Sequence, residues 1–213
     1  MEIKSFYFNE LRECCYVVWD DSLDCVIIDP GASSEGEFAR LCGFISDSGL
    51  HPVKILLTHG HFDHVMGLED AAVKWSVPVY MNSGDLVQLE AAPEYCRMLG
   101  LKSVPFSGKT TDINDGDIIE FGNSSFEVIA TPGHTQGGVC YYGKESSVLI
   151  SGDTLFAGSI GRTDHIGGDY EQLMKSITAK LLPLDSDVKV LPGHGYPTTI
   201  GYERATNPFL ETL

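Results

Sequence analysis

Thr58-His59-Gly60-His61-Phe62-Asp63-His64 sets three imidazoles and a carboxylate within six residues. Neutral imidazole and carboxylate suit zinc, iron or manganese, and four such groups on one short loop fit little except metal chemistry. His59 and His61, two apart on an extended segment, can point to one side and share an ion. Asp63 and His64 follow a change of chain direction and can reach a second ion beside the first.

Three more segments supply what such a loop lacks. His134 sits in Thr131-Pro132-Gly133-His134-Thr135, Asp153 in Ser151-Gly152-Asp153-Thr154, and His194 in Leu191-Pro192-Gly193-His194-Gly195. Each follows a short run rich in Val, Ile and Leu, at 126–130, 148–150 and 188–191, just as 53–57 precedes the first loop. Such runs bounded by Gly and Pro read as buried strands. Ligands just past the ends of several strands can converge at one rim of a sheet, forming a composite metal site. His51 and His165 lack this context and read as ordinary surface or core histidines.

The elements that must hold these turns follow from pattern. Strands are expected at 3–8, 15–19 and 24–28, the last ended by Asp29-Pro30-Gly31. Phe38, Leu41, Cys42 and Ile45 at helical spacing predict an amphipathic helix over 35–48, closed by Gly49. A helix over about 65–75, a strand at 78–80 and a helix over 84–99 interrupted near Pro93 come next. Hairpins are expected from 117–121 with 125–130 and from 138–142 with 147–150. A helix over 170–182, a strand at 188–191 and a short helix over 200–205 close the chain. Strands outnumber crossover helices, so two mixed sheets packed face to face with helices outside fit better than a doubly wound parallel sheet.

Composition narrows the partners. Fourteen basic residues stand against 30 acidic ones, a formal charge of −16 with no basic cluster, which disfavours nucleic acid and anionic membrane surfaces. The 213 residues carry no linker-like tract and predict one domain, 1–213. The start Met1-Glu2-Ile3-Lys4 opens no signal peptide, and the apolar runs are strand-sized, which predicts a cytoplasmic protein. Six cysteines without a Cys-x-x-Cys pair read as reduced, mostly buried thiols.

His59-x-His61-x-Asp63-His64 with His134, Asp153 and His194 in order resembles the metallo-β-lactamase fold superfamily, over nearly the whole chain. Within it, Thr131-Pro132-Gly133-His134-Thr135, Gly152-Asp153-Thr154-Leu155-Phe156 and Pro192-Gly193-His194-Gly195 resemble the type II glyoxalases, the hydroxyacylglutathione hydrolases. The resemblance implies an α/β, four-layer αβ/βα sandwich with the metals at one edge. It implies two divalent ions, zinc first, with iron or a mixed pair as alternatives. His59, His61 and His134 would hold one, Asp63, His64 and His194 the other, and Asp153 would bridge both. Only 19 residues follow His194 (213 − 194), so the C-terminal helical domain of full-length glyoxalases is not expected, and Gly161-Arg162-Thr163-Asp164 resembles both a shorter single-domain branch and the persulfide dioxygenases of the superfamily. His165 stands where that branch often has an aromatic residue and reads as pocket wall.

The reaction implied is hydrolysis of a small thioester, hydroxyacylglutathione-like, by a hydroxide bridging the two ions, with Asp63 and Asp153 as the catalytic carboxylates. Arg162 is a candidate for a substrate carboxylate, with a structural pair to Asp164 as the alternative. Of Tyr141 and Tyr142 on opposite strand faces, Tyr142 is taken as pocket-lining. Asp29, Thr58 and Thr135 are candidates for orienting the metal-binding imidazoles. A mononuclear iron held by His59, His134 and Asp153, serving a persulfide dioxygenase, is the main rival, and a non-catalytic metal-binding module the second.

Overall fold

A computed structural model describes residues 1–210. The first half forms β1 (Glu2–Phe8), β2 (Glu13–Trp19), β3 (Asp24–Ile28), α1 (Glu35–Asp47), β4 (His51–Leu56), α2 (Phe62–Val65), α3 (Leu68–Trp75), β5 (Val79–Met81), α4 (Leu86–Met98) and β6 (Thr110–Asp112). Its six strands make one sheet in sequence order, antiparallel from β1 to β3 and parallel from β3 to β6. The second half forms β7 (Ile118–Phe121), β8 (Ser124–Ala130), β9 (Val139–Gly143), β10 (Val148–Gly152), a small hairpin of β11 (Leu155–Phe156) and β12 (Ser159–Ile160), α5 (Tyr170–Ser176), β13 (Lys189–Pro192), β14 (Thr198–Thr199) and α6 (Ile200–Thr206). Its main sheet runs β14-β13-β10-β9-β8-β7.

Strand alternation sorts the apolar side chains into three buried layers. In β2, Cys15 and Val17 face α1, α3 and α4, while Cys14, Tyr16 and Val18 face the opposite sheet. Between the sheets they meet Phe126, Val128, Val139 and Ile150. On the far side, Ile129, Cys140, Leu149 and Val190 pack on Leu173 of α5 and Ile200 of α6. Three apolar layers require four layers of elements, so the expected αβ/βα sandwich is the one observed.

Two tyrosines tie the sheets together across the middle layer. Tyr16 of the first sheet donates its hydroxyl to the Pro192 carbonyl of the second at 2.7 Å, and Tyr141 of the second donates to the Leu57 carbonyl of the first at 2.7 Å. Each carbonyl lies immediately before a ligand turn, so the ties hold those turns at a fixed height on one edge.

Some elements differ from expectation. The helix foreseen over 84–99 is not interrupted at Pro93: α4 passes through it, because Leu89, Ala92 and Cys96 are buried on both sides and Pro removes only one hydrogen bond. The helix foreseen over 65–75 is α3, which starts later, at Leu68, and is preceded by the one-turn α2; Gly67, whose N–H donates to the Pro30 carbonyl at 2.9 Å, lies between them. The helix over 170–182 ends its α-helical part at Ser176 and continues as a wider π turn over Ile177–Leu181. The strands β6, β11, β12 and β14 are too short to carry a periodic signal. Among the described residues no helix is long and apolar enough to cross a membrane.

Tyr16→Phe and Tyr141→Phe should each destabilise the protein by about 1–3 kcal/mol, the cost of an unpaired buried carbonyl. Urea unfolding measures this, and an unchanged midpoint would show that the ties contribute nothing.

Candidate metal centre

Every expected ligand follows the C-terminal end of a strand. The turn after β4 carries His59 and His61, and α2 carries Asp63 and His64. His134 follows β8, Asp153 follows β10 and His194 follows β13. The turns are glycine-dependent at close quarters. Gly133 has φ +134°, and a Cβ there would overlap the backbone of Leu173. A Cβ at Gly193 would overlap Asp153 Oδ1 and lie 2.7 Å from His64 Cε1.

Hydrogen bonds fix which ring nitrogen faces inward. Asp29, at φ +50°, accepts from the Thr58 N–H at 2.7 Å and the Thr58 hydroxyl at 2.6 Å, and its Oδ2 lies 3.0 Å from His64 Nδ1. Because the Thr58 hydroxyl donates to Asp29, it accepts from His59 Nδ1 at 3.0 Å. His134 Nδ1 donates to the Arg162 carbonyl at 2.8 Å, and His194 Nδ1 to the Leu11 carbonyl at 3.1 Å. In the neutral state all four rings therefore present a bare Nε2 to the interior.

Those bare atoms gather in two clusters. His59, His61 and His134 form one and Asp63, His64 and His194 the other, each with ligand atoms within 4.8 Å of one another. His134 Nε2 lies 2.9 Å from His61 Nδ1, and His64 Nε2 lies 3.4 Å from His194 Nε2. Asp63 Oδ2 is 3.2 Å from His194 Nε2. Asp153 stands between, with Oδ1 3.4 Å from His64 Nε2 and Oδ2 3.6 Å from His134 Nε2. Buried His59 Nε2 and Asp153 Oδ1 have no hydrogen-bond partner at all. A third grouping, Asp29 with His59 and His64, also has the spacing for a metal, but Asp29 is already committed to Thr58 and His64.

The electrostatics point the same way. Burial and the neighbouring imidazoles hold His59 well below the usual histidine range, and burial with His134 and His165 lowers His61 to about 3. For His64 burial acts downward, yet Asp63, Asp153 and Asp29 raise it well above that range. Against its burial, Asp153 is lowered by His64, His134 and His194. The negative well that strengthens proton binding at His64 is the well a divalent cation would fill. Orphaned inward donors, nitrogen–nitrogen approaches and this well fit a metal pair.

A cavity of about 640 Å³ opens onto the clusters, with Leu11, Phe62, Tyr95, Phe156 and Ile160 among its apolar walls. Arg162 and His165 also line it. The Arg162 guanidinium pairs with Asp164 at 2.7 Å, and both side chains are largely exposed, so Arg162 remains available to the cavity it lines. Tyr142 is elsewhere: its face of β9 packs with Leu149 and Leu181 beneath α5, away from the cavity. Tyr141, on the other face, is committed to the inter-sheet tie, so neither tyrosine lines the site. Thr135 is fully buried, and its hydroxyl is directed to the Asp85 carboxylate and not to a metal-binding imidazole.

Two fully buried carboxylates beside the ligand turns were not foreseen, Glu13 and Asp85. Glu13 lies 3.9 Å from His64 Nδ1 with both oxygens unpaired, and burial with Asp29, Asp63 and Asp153 nearby holds its carboxyl well above the usual range, against the pull of His64. A charge opening the otherwise apolar strand Glu13-Cys14-Cys15-Tyr16-Val17-Val18 was the available signal. Asp85 sits in Asn82-Ser83-Gly84-Asp85, which reads as a plain helix start.

Two mixed sheets with helices outside thus place a histidine- and aspartate-lined centre on one edge. The profile of the Metallo-beta-lactamase superfamily matches residues 12–194, and the chain belongs to that superfamily. It is 38% identical over 214 residues to the hydroxyacylglutathione hydrolase GloC of Haemophilus influenzae, an alignment covering 100% of this chain and 99% of the relative. Among solved structures it is similar to the B3 metallo-beta-lactamase BLEG-1, with TM-score 0.90, 37% identity, and coverage of 99% and 100% of the two chains. It is also similar to TTHA1623 in a di-iron-bound form, with TM-score 0.88, 38% identity, and coverage of 97% and 100%.

Asp29→Ala removes the acceptor that orients His64 and, through Thr58, His59. Affinity for zinc, measured by competition with a chromogenic chelator, should fall about 10–100-fold. Unchanged affinity would show that the imidazoles are oriented without it.

Proposed function

We propose that this protein is a dinuclear metal-dependent hydrolase of small thioesters of the hydroxyacylglutathione type. His59, His61 and His134 would hold one ion, Asp63, His64 and His194 the other, and Asp153 would bridge them. One observation carries the reading: two three-residue clusters of inward-facing donors stand side by side with Asp153 between them, its Oδ1 3.4 Å from His64 Nε2 and its Oδ2 3.6 Å from His134 Nε2 and 3.7 Å from His194 Nε2. The 38% identity with a hydroxyacylglutathione hydrolase over the whole chain supports the choice of thioester.

When bound, two divalent ions, zinc or iron, polarise a carbonyl oxygen and make water acidic enough to ionise near neutral pH. The chain's own residues do the rest. Asp29 and Thr58 keep His64 and His59 turned with Nε2 inward, and the Leu11 and Arg162 carbonyls do the same for His194 and His134. Asp63 and Asp153 supply the negative charge that balances the cations. Leu11, Phe62, Phe156 and Ile160 give the substrate an apolar wall that limits water around the reacting carbonyl. A thiol's low pKa lets the leaving sulfur depart as thiolate without a general acid. Recognition rests on the apolar wall and the reacting carbonyl, with Arg162 at the cavity as the candidate partner for a substrate carboxylate.

The mononuclear iron alternative uses only His59, His134 and Asp153. It leaves the convergence of Asp63, His64 and His194 without a purpose, and that convergence favours two ions.

The purified protein, loaded with zinc and separately with iron, should hydrolyse S-lactoylglutathione, and Asp63→Ala or His64→Ala should reduce turnover to near the uncatalysed rate. No turnover with either metal would sink the glutathione-thioester reading. Full turnover in both variants would sink the dinuclear one.

A further inference from the structure

The roles assigned so far leave Asp85 unused, although its side chain is fully buried. It stands at the N-terminus of α4, yet it makes no side-chain cap hydrogen bond to its own helix. Its carboxylate is turned to two distant loops. Oδ2 accepts from the Gly60 N–H at 2.9 Å, and Oδ1 accepts from the Gly137 N–H at 2.6 Å. Gly60 lies between His59 and His61, and Gly137 lies in the same turn as His134. One rigid, planar group therefore spans the two main chains that carry the three-imidazole cluster.

The seam it closes is tight on every side. A Cβ at Gly60 would lie 2.7 Å from the Asp85 carbonyl oxygen and 2.9 Å from Leu89 N. A Cβ at Gly137 would lie 2.5 Å from Asp85 N, and one at Gly84 3.1 Å from the Gly137 backbone. Three glycines thus permit the approach that lets a side chain as short as aspartate reach both amides. The second cluster is held by other means. His64 is oriented by Asp29, and His194 by the Leu11 carbonyl.

We propose that Asp85 is a positioning residue that sets the separation of His61 from His134, and so governs metal occupancy of the three-imidazole position selectively over the position formed by Asp63, His64 and His194. This rests on reading the two clusters as metal positions. A residue needed only for folding would weaken both positions together. A clip between these two loops weakens one.

The test is a cobalt(II) titration of the chelator-stripped, full-length protein, followed by the visible absorption of the bound ion. His61→Ala and Asp63→Ala are recorded first, so that each position has its own reference spectrum. Asp85→Ala should lose affinity about 10–100-fold at the three-imidazole position and keep wild-type affinity at the other. Asp85→Asn, which can accept through only one of its two atoms, should move in the same direction. Gly137→Ala leaves the carboxylate in place but wedges the seam, and should give the same selective loss. These two variants decide the question if Asp85→Ala does not fold. Equal weakening at both positions alongside a lower melting temperature, or wild-type binding at both, would overturn the proposal while the metal reading stands. A wild-type protein that binds no cobalt at either cluster would overturn both.

Discussion

Imidazole nitrogens that carry no proton and face one another in a buried place repel unless a cation lies among them. His64 and His194 approach at 3.4 Å, and His59 Nε2 is buried with no partner. The outer nitrogens of four rings are occupied by oxygens of Asp29, Thr58, Arg162 and Leu11, so the rings cannot relieve the conflict by turning over. A proton on His64 answers part of it, as the upward pull of Asp63 and Asp153 on that ring indicates. Two divalent ions answer all of it, and most of the molecule can be understood as what keeps these donors in place.

The sandwich serves that purpose through its edge. Both sheets contribute strands whose C-terminal ends lie there, and Tyr16 and Tyr141 reach across the middle layer in opposite directions to the carbonyls that precede two ligand turns. Because each tie runs from one sheet to the other, sliding the sheets would break both. The His59 turn and the His194 turn are thereby coupled to the packing of the whole core. Support of this kind explains how side chains from four separate segments hold positions to within a few ångströms.

Much of this was legible in the sequence because it is local. The dense His59–His64 loop and the pattern of apolar run, glycine turn and ligand at 134, 153 and 194 are readable without coordinates, as are the strands at 15–19 and 24–28. What was not legible depends on long-range geometry. Asp85 looks like a helix start until Gly60 and Gly137 are brought against it. Strand alternation separates Tyr141 from Tyr142 but does not say which face meets which layer, and Tyr142 went to the far side, beneath α5. Arg162 lines the cavity and also pairs with its near neighbour Asp164, a pairing its spacing of two residues made readable. Asp29 could be foreseen as a support because it ends a strand beside the loop it orients, although its two bonds to Thr58 became evident only in three dimensions.

The most direct test of this account is anomalous diffraction from crystals of the purified protein, collected at the zinc and iron absorption edges. The account predicts two peaks side by side, one among His59, His61 and His134 and one among Asp63, His64 and His194, with Asp153 reaching both. A single peak at the three-imidazole cluster, or no peak in crystals grown with either metal, would contradict it.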